Sequence, residues 1–138
     1  MSALSNDQIE DLISQSLEAR NNSYSPYSKF RVGAALRTVD GKIFQGCNVE
    51  NASYGGAICA ERTAFVKAVS EGYRRFVAIA VSCDMNQFIS PCGICRQFMN
   101  EFGKNLEIFF VNDDRTYKRA ILADLLPYAF GPEDLPGN

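Results

Sequence analysis

The chain opens with apolar residues that recur at a helical period. They share one face of a helix predicted for most of residues 1–20, namely Ile9, Leu12, Ile13 and Leu17. Ser5 or Asn6 can cap this helix, because a short polar side chain accepts a hydrogen bond from a free N–H group of the first turn. The segment is therefore predicted to be amphipathic and to pack through its apolar face.

After a polar loop the pattern changes to short runs rich in β-branched and aromatic residues, which are typical of strands. Two runs, at 30–38 and 42–50, are separated by Asp40 and Gly41, a strong signal for a hairpin turn. A nearly continuous apolar run at 76–83 indicates a strand that is covered on both faces. Two further strands are predicted at 107–111 and 116–121. The pattern thus indicates a sheet of about five strands.

Helical segments separate the strands from one another. They are predicted at about 58–71, at about 92–102 and, as a short piece, near 121–126. Alternation of strand and helix between residues 43 and 111 requires parallel crossovers. We therefore predict an α/β fold, a three-layer α/β/α sandwich around a five-stranded mixed sheet, in a single domain of residues 1–138. In such sheets sites form at the carboxyl ends of the strands, where the helices begin.

Charge and composition narrow the classes of partner. With 14 basic and 16 acidic residues the net charge is −2, so no basic surface indicates nucleic-acid binding. The longest apolar run, at 76–81, is too short to cross a bilayer, and residues 1–20 lack the features of a secretory signal. We expect a cytoplasmic protein, also nuclear if the source is eukaryotic, that contacts neither membrane nor nucleic acid. An odd number of cysteines, five, argues against a closed set of disulfides.

Three of these cysteines fall where helices are predicted to begin. Cys92 and Cys95 are three residues apart, so their thiols share a helix face, and Cys59 begins the preceding helix. Glu61 can aim at the same point as Cys59 only if Cys59 lies in the cap or first turn. Since the chain has no histidine, sulfur and carboxylate must do the chemistry. Three thiolates leave the fourth position of tetrahedral zinc(II) open, as in catalytic zinc sites.

Simpler readings exist for the same residues. A structural zinc site would recruit Cys47 or Cys83 as a fourth ligand, although both are better interpreted as small buried apolar residues. Glu61 alone could merely complement a helix dipole. Arg62 and Arg96, each next to a ligand or to Glu61, could offset the negative charge of the thiolates.

The motifs CAE at 59–61 and PCGIC at 91–95 match the known signature of zinc deaminases in order and spacing. With cysteine at 59, they resemble the small homotetrameric branch of the zinc-dependent cytidine deaminases. The likeness extends to YSPYSKFRVGAAL at 24–36, GCNVENASY at 46–54, ICAERTA at 58–64, SPCGICRQF at 90–98 and LLPYAFGPEDL at 125–135. Only the loop SYGGAIC at 53–59 departs from the familiar pattern.

The resemblance implies a role for particular residues and a cytidine deaminase-like fold. It implies one Zn²⁺ per chain held by Cys59, Cys92 and Cys95, with Glu61 as proton shuttle and Arg62 as the residue that moderates thiolate charge. Asn48 and Glu50 resemble the pair that binds the ribose 3'-hydroxyl, and Phe30 resembles the ring that packs against the base. Residues that resemble those reaching into a neighbouring subunit's pocket are Ala52, Tyr54 and Phe130. Without the resemblance, each of these side chains has an ordinary structural explanation.

The implied reaction is hydrolytic deamination of free cytidine and 2'-deoxycytidine in pyrimidine salvage. Glu61 takes a proton from zinc-bound water, hydroxide attacks carbon 4, the proton passes to ring nitrogen 3 and ammonia departs. Two alternatives stay open at this point. One is a deaminase of another base or of a polynucleotide, and the other is a zinc module without activity.

Overall fold

The computed structural model describes residues 2–137, so the two terminal residues of the predicted domain lie outside the described range. The helices are α1 (Asn6–Ala19), α2 (Ala60–Ser70), α3 (Gly93–Asn100) and α4 (Leu122–Leu125). The strands are β1 (Val32–Thr38), β2 (Ile43–Cys47), β3 (Phe76–Cys83), β4 (Glu107–Val111) and β5 (Tyr117–Ile121). Within this range no helix has the length and apolar character needed to cross a membrane.

The strands form one mixed sheet in the order β2-β1-β3-β4-β5. β1 is antiparallel to both β2 and β3, β3 and β4 are parallel, and β4 and β5 are antiparallel. β2 and β3 therefore point the same way although β1 lies between them. This confirms the mixed sheet and the parallel connections predicted through α2 and α3, which link β2, β3 and β4.

Each face of the sheet carries its own apolar core, as the continuous apolar strands predicted. α1 covers one face, where Ile9, Leu12 and Ile13 pack with Ala35, Ala80 and Phe109. The other face is covered by α2, α3 and α4, with Phe65, Met99 and Leu122 packed on Leu36, Ile79 and Ile108. Alternate residues of a strand serve opposite faces, so the three-layer arrangement follows from the pleat.

Several elements are shorter than predicted, and the structure shows why. Cys59 and Cys92 are extended, with ψ 155° and 167°, so each is an N-cap, and α2 and α3 begin two residues and one residue later than predicted. The hairpin turn at Asp40 and Gly41 is confirmed, but β2 ends at Cys47. Beyond it, Val49 exchanges two backbone hydrogen bonds with Ile58, both 2.9 Å long. The 53–59 loop thus doubles back and returns Cys59 to the end of β2.

Gly46 allows α2 to lie directly on β2. A Cβ atom added at Gly46 would come within 2.5 Å of the Ala60 carbonyl oxygen and of the Ala64 nitrogen. Real side chains do not tolerate such distances, so glycine sets the close approach of the two elements. The first turn of α2, which carries Glu61, is thereby fixed against the sheet.

Candidate active site

The three predicted thiols come together where α2 and α3 begin. Cys59 is the N-cap of α2, Cys92 is the N-cap of α3, and Cys95 lies in the first turn of α3. Their sulfur atoms all lie within 4.8 Å of one another, and Cys59 Sγ is 3.8 Å from Cys92 Sγ. The sequence required Cys59 to lie in the cap or first turn of α2 if it and Glu61 are to face the same point. As the N-cap of α2, Cys59 meets this requirement.

The surroundings of the sulfurs favour negative charge. Cys59 and Cys92 each stand at the N-terminus of a helix, where the helix dipole favours a negatively charged thiolate. A hydrogen bond with Cys95, aided by Arg62, lowers the pKa of the Cys59 thiol to about 5. The same hydrogen bond and burial raise the pKa of the Cys95 thiol. The surroundings thus favour the thiolate form of Cys59.

The cluster has the donor set and spacing that zinc requires. Two sulfurs at about 2.3 Å from a tetrahedral zinc ion lie roughly 3.8 Å apart, and the Cys59 and Cys92 sulfurs have this separation. Among residues 2–137, no other group of three or more potential ligands is assembled for a metal. The residues thus fit zinc(II) with three protein ligands.

A fourth cysteine ligand is not in place. The Cys47 thiol donates to the Asn22 carbonyl at 3.3 Å, and that of Cys83 is oriented towards the Met85 carbonyl at 3.7 Å. Cys83 is buried as predicted, whereas Cys47 is only partly buried. This arrangement argues against the structural zinc site with four thiolates.

Arg62 lies beside the thiols, as the resemblance implied, whereas Arg96 makes its hydrogen bonds elsewhere. Arg62 Nη2 is 3.7 Å from Cys59 Sγ, and its Nε is buried with no hydrogen-bond partner among the described residues. Arg96 instead donates to the carbonyls of Pro91 and Leu125 and to the hydroxyl of Ser90. Arg96 thus braces the loop before α3, and its suggested charge-offsetting role stays a prediction.

Glu61 is buried beside this cluster in the first turn of α2. Only 5% of its surface is exposed. Burial, reinforced by the charge of Cys59, raises the pKa of Glu61 to about 7. A carboxyl with a pKa near neutrality can both accept and release a proton, which a simple dipole partner does not need to do.

A cavity of about 280 Å³ opens onto the thiols and Glu61. Cys59, Glu61 and Cys92 line it together with Asn48 and Glu50. Its other walls come mainly from the ends of β3 and β4 and from the loop before α3, and include Val81, Ser82, Cys83, Ile89, Ser90 and Val111. Its size is close to the lower end of small-molecule sites. The cavity lies at the carboxyl ends of the parallel strands, as predicted.

Asn48 and Glu50 line this cavity and also fasten the loop before β1. Asn48 accepts from the Val32 N–H at 3.0 Å and donates to the Phe30 carbonyl at 2.8 Å. Glu50 accepts from the N–H groups of Tyr27 and Ser28 at 3.0 and 3.1 Å. The Ser28 hydroxyl also donates to Glu50, and this hydrogen bond lowers the pKa of its carboxyl. Both residues are thus held firmly in the cavity wall.

The remaining predicted substrate contacts lie away from the cavity of this chain. Phe30 is partly buried next to Val32, which lines the cavity, but its own side chain is outside the lining. Tyr54 is 77% exposed and borders a second hollow that shares Glu50 with the first. Ala52 is exposed, and Phe130 is 57% exposed on the C-terminal segment. The structure therefore brings Asn48 and Glu50 to the thiols and leaves the other residues outside.

Sequence reasoning missed the apolar walls of the cavity. Val81 and Val111 belong to runs that predict strands, and nothing in the runs distinguishes a residue facing a cavity from one facing the core. The Ile89 side chain lies in a loop without periodicity. Position at the end of a predicted strand was the available signal for Val81 and Val111, and Ile89 carried none.

Comparison with known proteins agrees with this geometry. The family model for the cytidine and deoxycytidylate deaminase zinc-binding region matches residues 6–111. The chain is 49% identical over 133 residues to a probable cytidine deaminase of Dictyostelium discoideum, covering 96% of this chain and 90% of that protein. It is 49% identical over 128 residues to a cytidine deaminase of Sporosarcina psychrophila, covering 92% and 94% of the two chains.

A solved structure extends the comparison to the fold. The crystal structure of a cytidine deaminase from Burkholderia pseudomallei aligns with a TM-score of 0.86 and 48% identity, covering 92% of this chain and all of that chain. The residues that the family model matches, 6–111, contain the three thiols, Glu61 and both α2 and α3. The chain therefore belongs to the cytidine and deoxycytidylate deaminase zinc-binding family.

Proposed function

We propose that this protein hydrolyses free cytidine and 2'-deoxycytidine to uridine and 2'-deoxyuridine with release of ammonia, as an enzyme of pyrimidine salvage. The observation that carries the proposal is a buried carboxyl, Glu61, in one cavity with two thiols of a three-thiol cluster. Family membership and the cytidine deaminase names of the relatives support the same reaction. The small cavity suits a single nucleoside.

The proposed chemistry divides between a metal and Glu61. One zinc ion per chain, held by Cys59, Cys92 and Cys95, would supply a Lewis acid that makes water a nucleophile near neutral pH. Glu61 accepts a proton as the water oxygen bonds to carbon 4 of the base, and it delivers that proton to ring nitrogen 3. Glu61 then transfers the remaining proton of the added hydroxyl to the departing amine, and the bond from carbon 4 to nitrogen breaks to give ammonia and a carbonyl.

The cavity walls supply binding of the substrate in this proposal. Asn48 and Glu50 bind the ribose 3'-hydroxyl, since they line the cavity and their side chains are already fixed by hydrogen bonds. A contact to the 3'-hydroxyl accepts cytidine and 2'-deoxycytidine alike. Phe30 packs against the base once substrate is present.

We further propose a homotetramer in which Ala52, Tyr54 and Phe130 complete a neighbouring subunit's cavity. The exposure of the two aromatic rings and the hollow beside Tyr54 support this arrangement, because aromatic residues are enriched at protein interfaces. Sedimentation of the purified chain tests it. A species of four chains is expected, and a monomer with full activity would contradict shared sites.

Turnover of defined substrates tests the reaction directly. We expect ammonia release and a fall in ultraviolet absorbance with cytidine and 2'-deoxycytidine, about one zinc per chain in the same preparation, and no reaction of cytidine within an oligonucleotide. Reaction of the oligonucleotide alone would support the polynucleotide deaminase. Zinc without any turnover would support the module that lacks activity.

A further inference from the structure

Asp84, the first residue after β3, links three separate parts of the chain. Its Oδ2 accepts from Arg31 Nε at 3.0 Å and from the Arg31 backbone N–H at 3.1 Å. Its Oδ1 accepts from Arg31 Nη2 at 2.9 Å and from Arg20 Nη1 at 3.3 Å. The carboxylate therefore grips Arg31 at three points, and a forked arginine–carboxylate pair fixes orientation as well as distance.

Arg20 anchors this pair to the sheet. It follows α1 directly, and its Nη1 also donates to the Cys83 carbonyl at 3.0 Å and to Asp113 at 2.9 Å. Gly33 permits this position, because a Cβ there would come within 2.7 Å of the Arg20 nitrogen. Only 13% of the Arg20 side chain is exposed. Asp84 is thus bonded to a guanidinium that is itself held at the carboxyl ends of β3 and β4.

The segment that Asp84 holds leads directly into the cavity wall at Val32. Val32, next to Arg31, lines the cavity, and Asn48 binds Phe30 and Val32 from the opposite side. The backbone of residues 30–32 is therefore fastened from β2 through Asn48 and from β3 through Asp84. Lys29, just before residues 30–32, has a φ of 60°, so the loop turns sharply before it reaches the residues that Asn48 and Asp84 fasten. Loss of Asp84 would leave the part of the segment before Val32 held mainly by Asn48 and Glu50, while Val32 stays paired with Cys83 in the sheet.

We propose that Asp84 is a positioning residue that, through Arg31, holds the 24–32 segment as the substrate-binding wall of the active site. This inference rests on the proposed cytidine deaminase function. Asp84 touches neither the thiols nor Glu61, which are held by α2 and α3. Its loss is therefore expected to weaken substrate binding while leaving the chemical step almost intact.

Kinetics of Asp84→Asn, Arg31→Gln and the double variant test the proposal, with Asp113→Asn as matched control. Asp113 also accepts a hydrogen bond from Arg20, but it makes none of the hydrogen bonds to Arg31 by which Asp84 holds the 24–32 segment. Each single variant is expected to raise KM for cytidine about tenfold, with kcat and zinc per chain within about twofold of the wild type. The double variant should be no worse than either single one, because both changes remove one interaction. Asp113→Asn should change KM by less than about twofold.

A purely structural role would lower the thermal midpoint and the active fraction without changing KM. A wild-type KM for Asp84→Asn, or additive effects in the double variant, would overturn the proposal. Hydrogen exchange gives a readout that does not need turnover. The amides of residues 27–32 should exchange faster in Asp84→Asn than in the wild type, while those of α2 stay unchanged. If the wild type turns over neither nucleoside, the proposed function fails, and unchanged exchange would separately overturn the positioning of the loop.

Discussion

A single backbone angle decides whether Cys59 and Glu61 can act together. In a regular helix residues two apart point in different directions, but Cys59 has an extended ψ of 155° as the N-cap of α2. Its sulfur therefore turns towards Cys92 while Glu61 remains in the first turn. The spacing of Cys59 and Glu61 shows that Cys59 must lie in the cap or first turn. The exact start of α2, which the structure gives, shows that it does.

Replacement of Glu61 by glutamine tests its role in proton transfer. Glutamine has nearly the same shape but cannot carry a proton back and forth, so kcat should fall by about 10²–10⁴-fold. Zinc per chain should stay at the wild-type value, because the three thiols are untouched. Steady-state kinetics and metal analysis on one preparation measure both quantities. Turnover near the wild-type rate would show that another group moves the proton.

Replacement of Cys92 by serine tests the thiol cluster. Loss of groups that only support a ligand already costs about 10–100-fold in metal affinity, so loss of a ligand should cost at least about 100-fold. Competition with a chromophoric chelator measures the affinity. Cys47→Ser is the matched control, because that thiol binds the Asn22 carbonyl instead. Equal zinc retention by the two variants would remove Cys92 from the metal site.

The helices and strands themselves were largely predictable, because their patterns are local. The apolar period of α1, the cap at Ser5 and the continuous runs of β3 and β4 are all visible in consecutive residues, and the structure confirms them. The clamp of Arg20, Arg31 and Asp84 was not predictable. Asp84 lies 53 residues after Arg31 and 64 residues after Arg20 in the chain. No local sequence pattern records a contact between residues so far apart.

The contact between β2 and α2 is the packing feature on which the position of Glu61 depends. Gly46→Ala should destabilise the protein by roughly 1–3 kcal/mol, because the added methyl group overpacks against the backbone of α2. Urea unfolding measures the change. Gly55→Ala is the control, since a Cβ there meets nothing within 4 Å, and it should change stability by less than about 0.5 kcal/mol. Equal stability of the two variants would show that α2 can move away without cost.

Across the whole molecule, fold class and site were predictable for a common reason. Parallel crossovers through α2 and α3 bring the carboxyl ends of their strands, and hence both cysteine motifs, to one edge of the sheet. The insertion of β1 between β2 and β3 was not predictable, because strand order depends on which apolar faces pack best in three dimensions. The cavity walls at Val81 and Val111 depend on that order, so they too were visible only in the structure.

A buried carboxylate, Glu107, joins the beginning of β4 to β5 through Arg119. Glu107 begins β4 and accepts from Arg119 Nε of β5 at 2.5 Å and from the Ala3 N–H at 2.9 Å, with 6% of its side chain exposed. Burial raises the pKa of Glu107, but the hydrogen bonds from Arg119, the Ala3 N–H and Ser2, together with the charge of Arg119, outweigh burial, so the pKa lies below its ordinary value. The ionised carboxylate thus stabilises the folded state at neutral pH, and this contribution disappears as pH falls through the lowered pKa.

Glu107→Gln should accordingly lower the free energy of unfolding at pH 7 by roughly 1–3 kcal/mol, because the buried side chain at 107 loses its charge-assisted hydrogen bond with Arg119. As pH falls below about 4.3, the ordinary pKa of a glutamate, the difference between variant and wild type should shrink, since protonation then removes the same charge from the wild type. Urea unfolding at a series of pH values measures the difference. Glu101→Gln, an exposed change at the end of α3, should run parallel to the wild type throughout. A difference for Glu107→Gln that stays constant from pH 7 to pH 3 would mean that shape rather than charge holds β4 to β5.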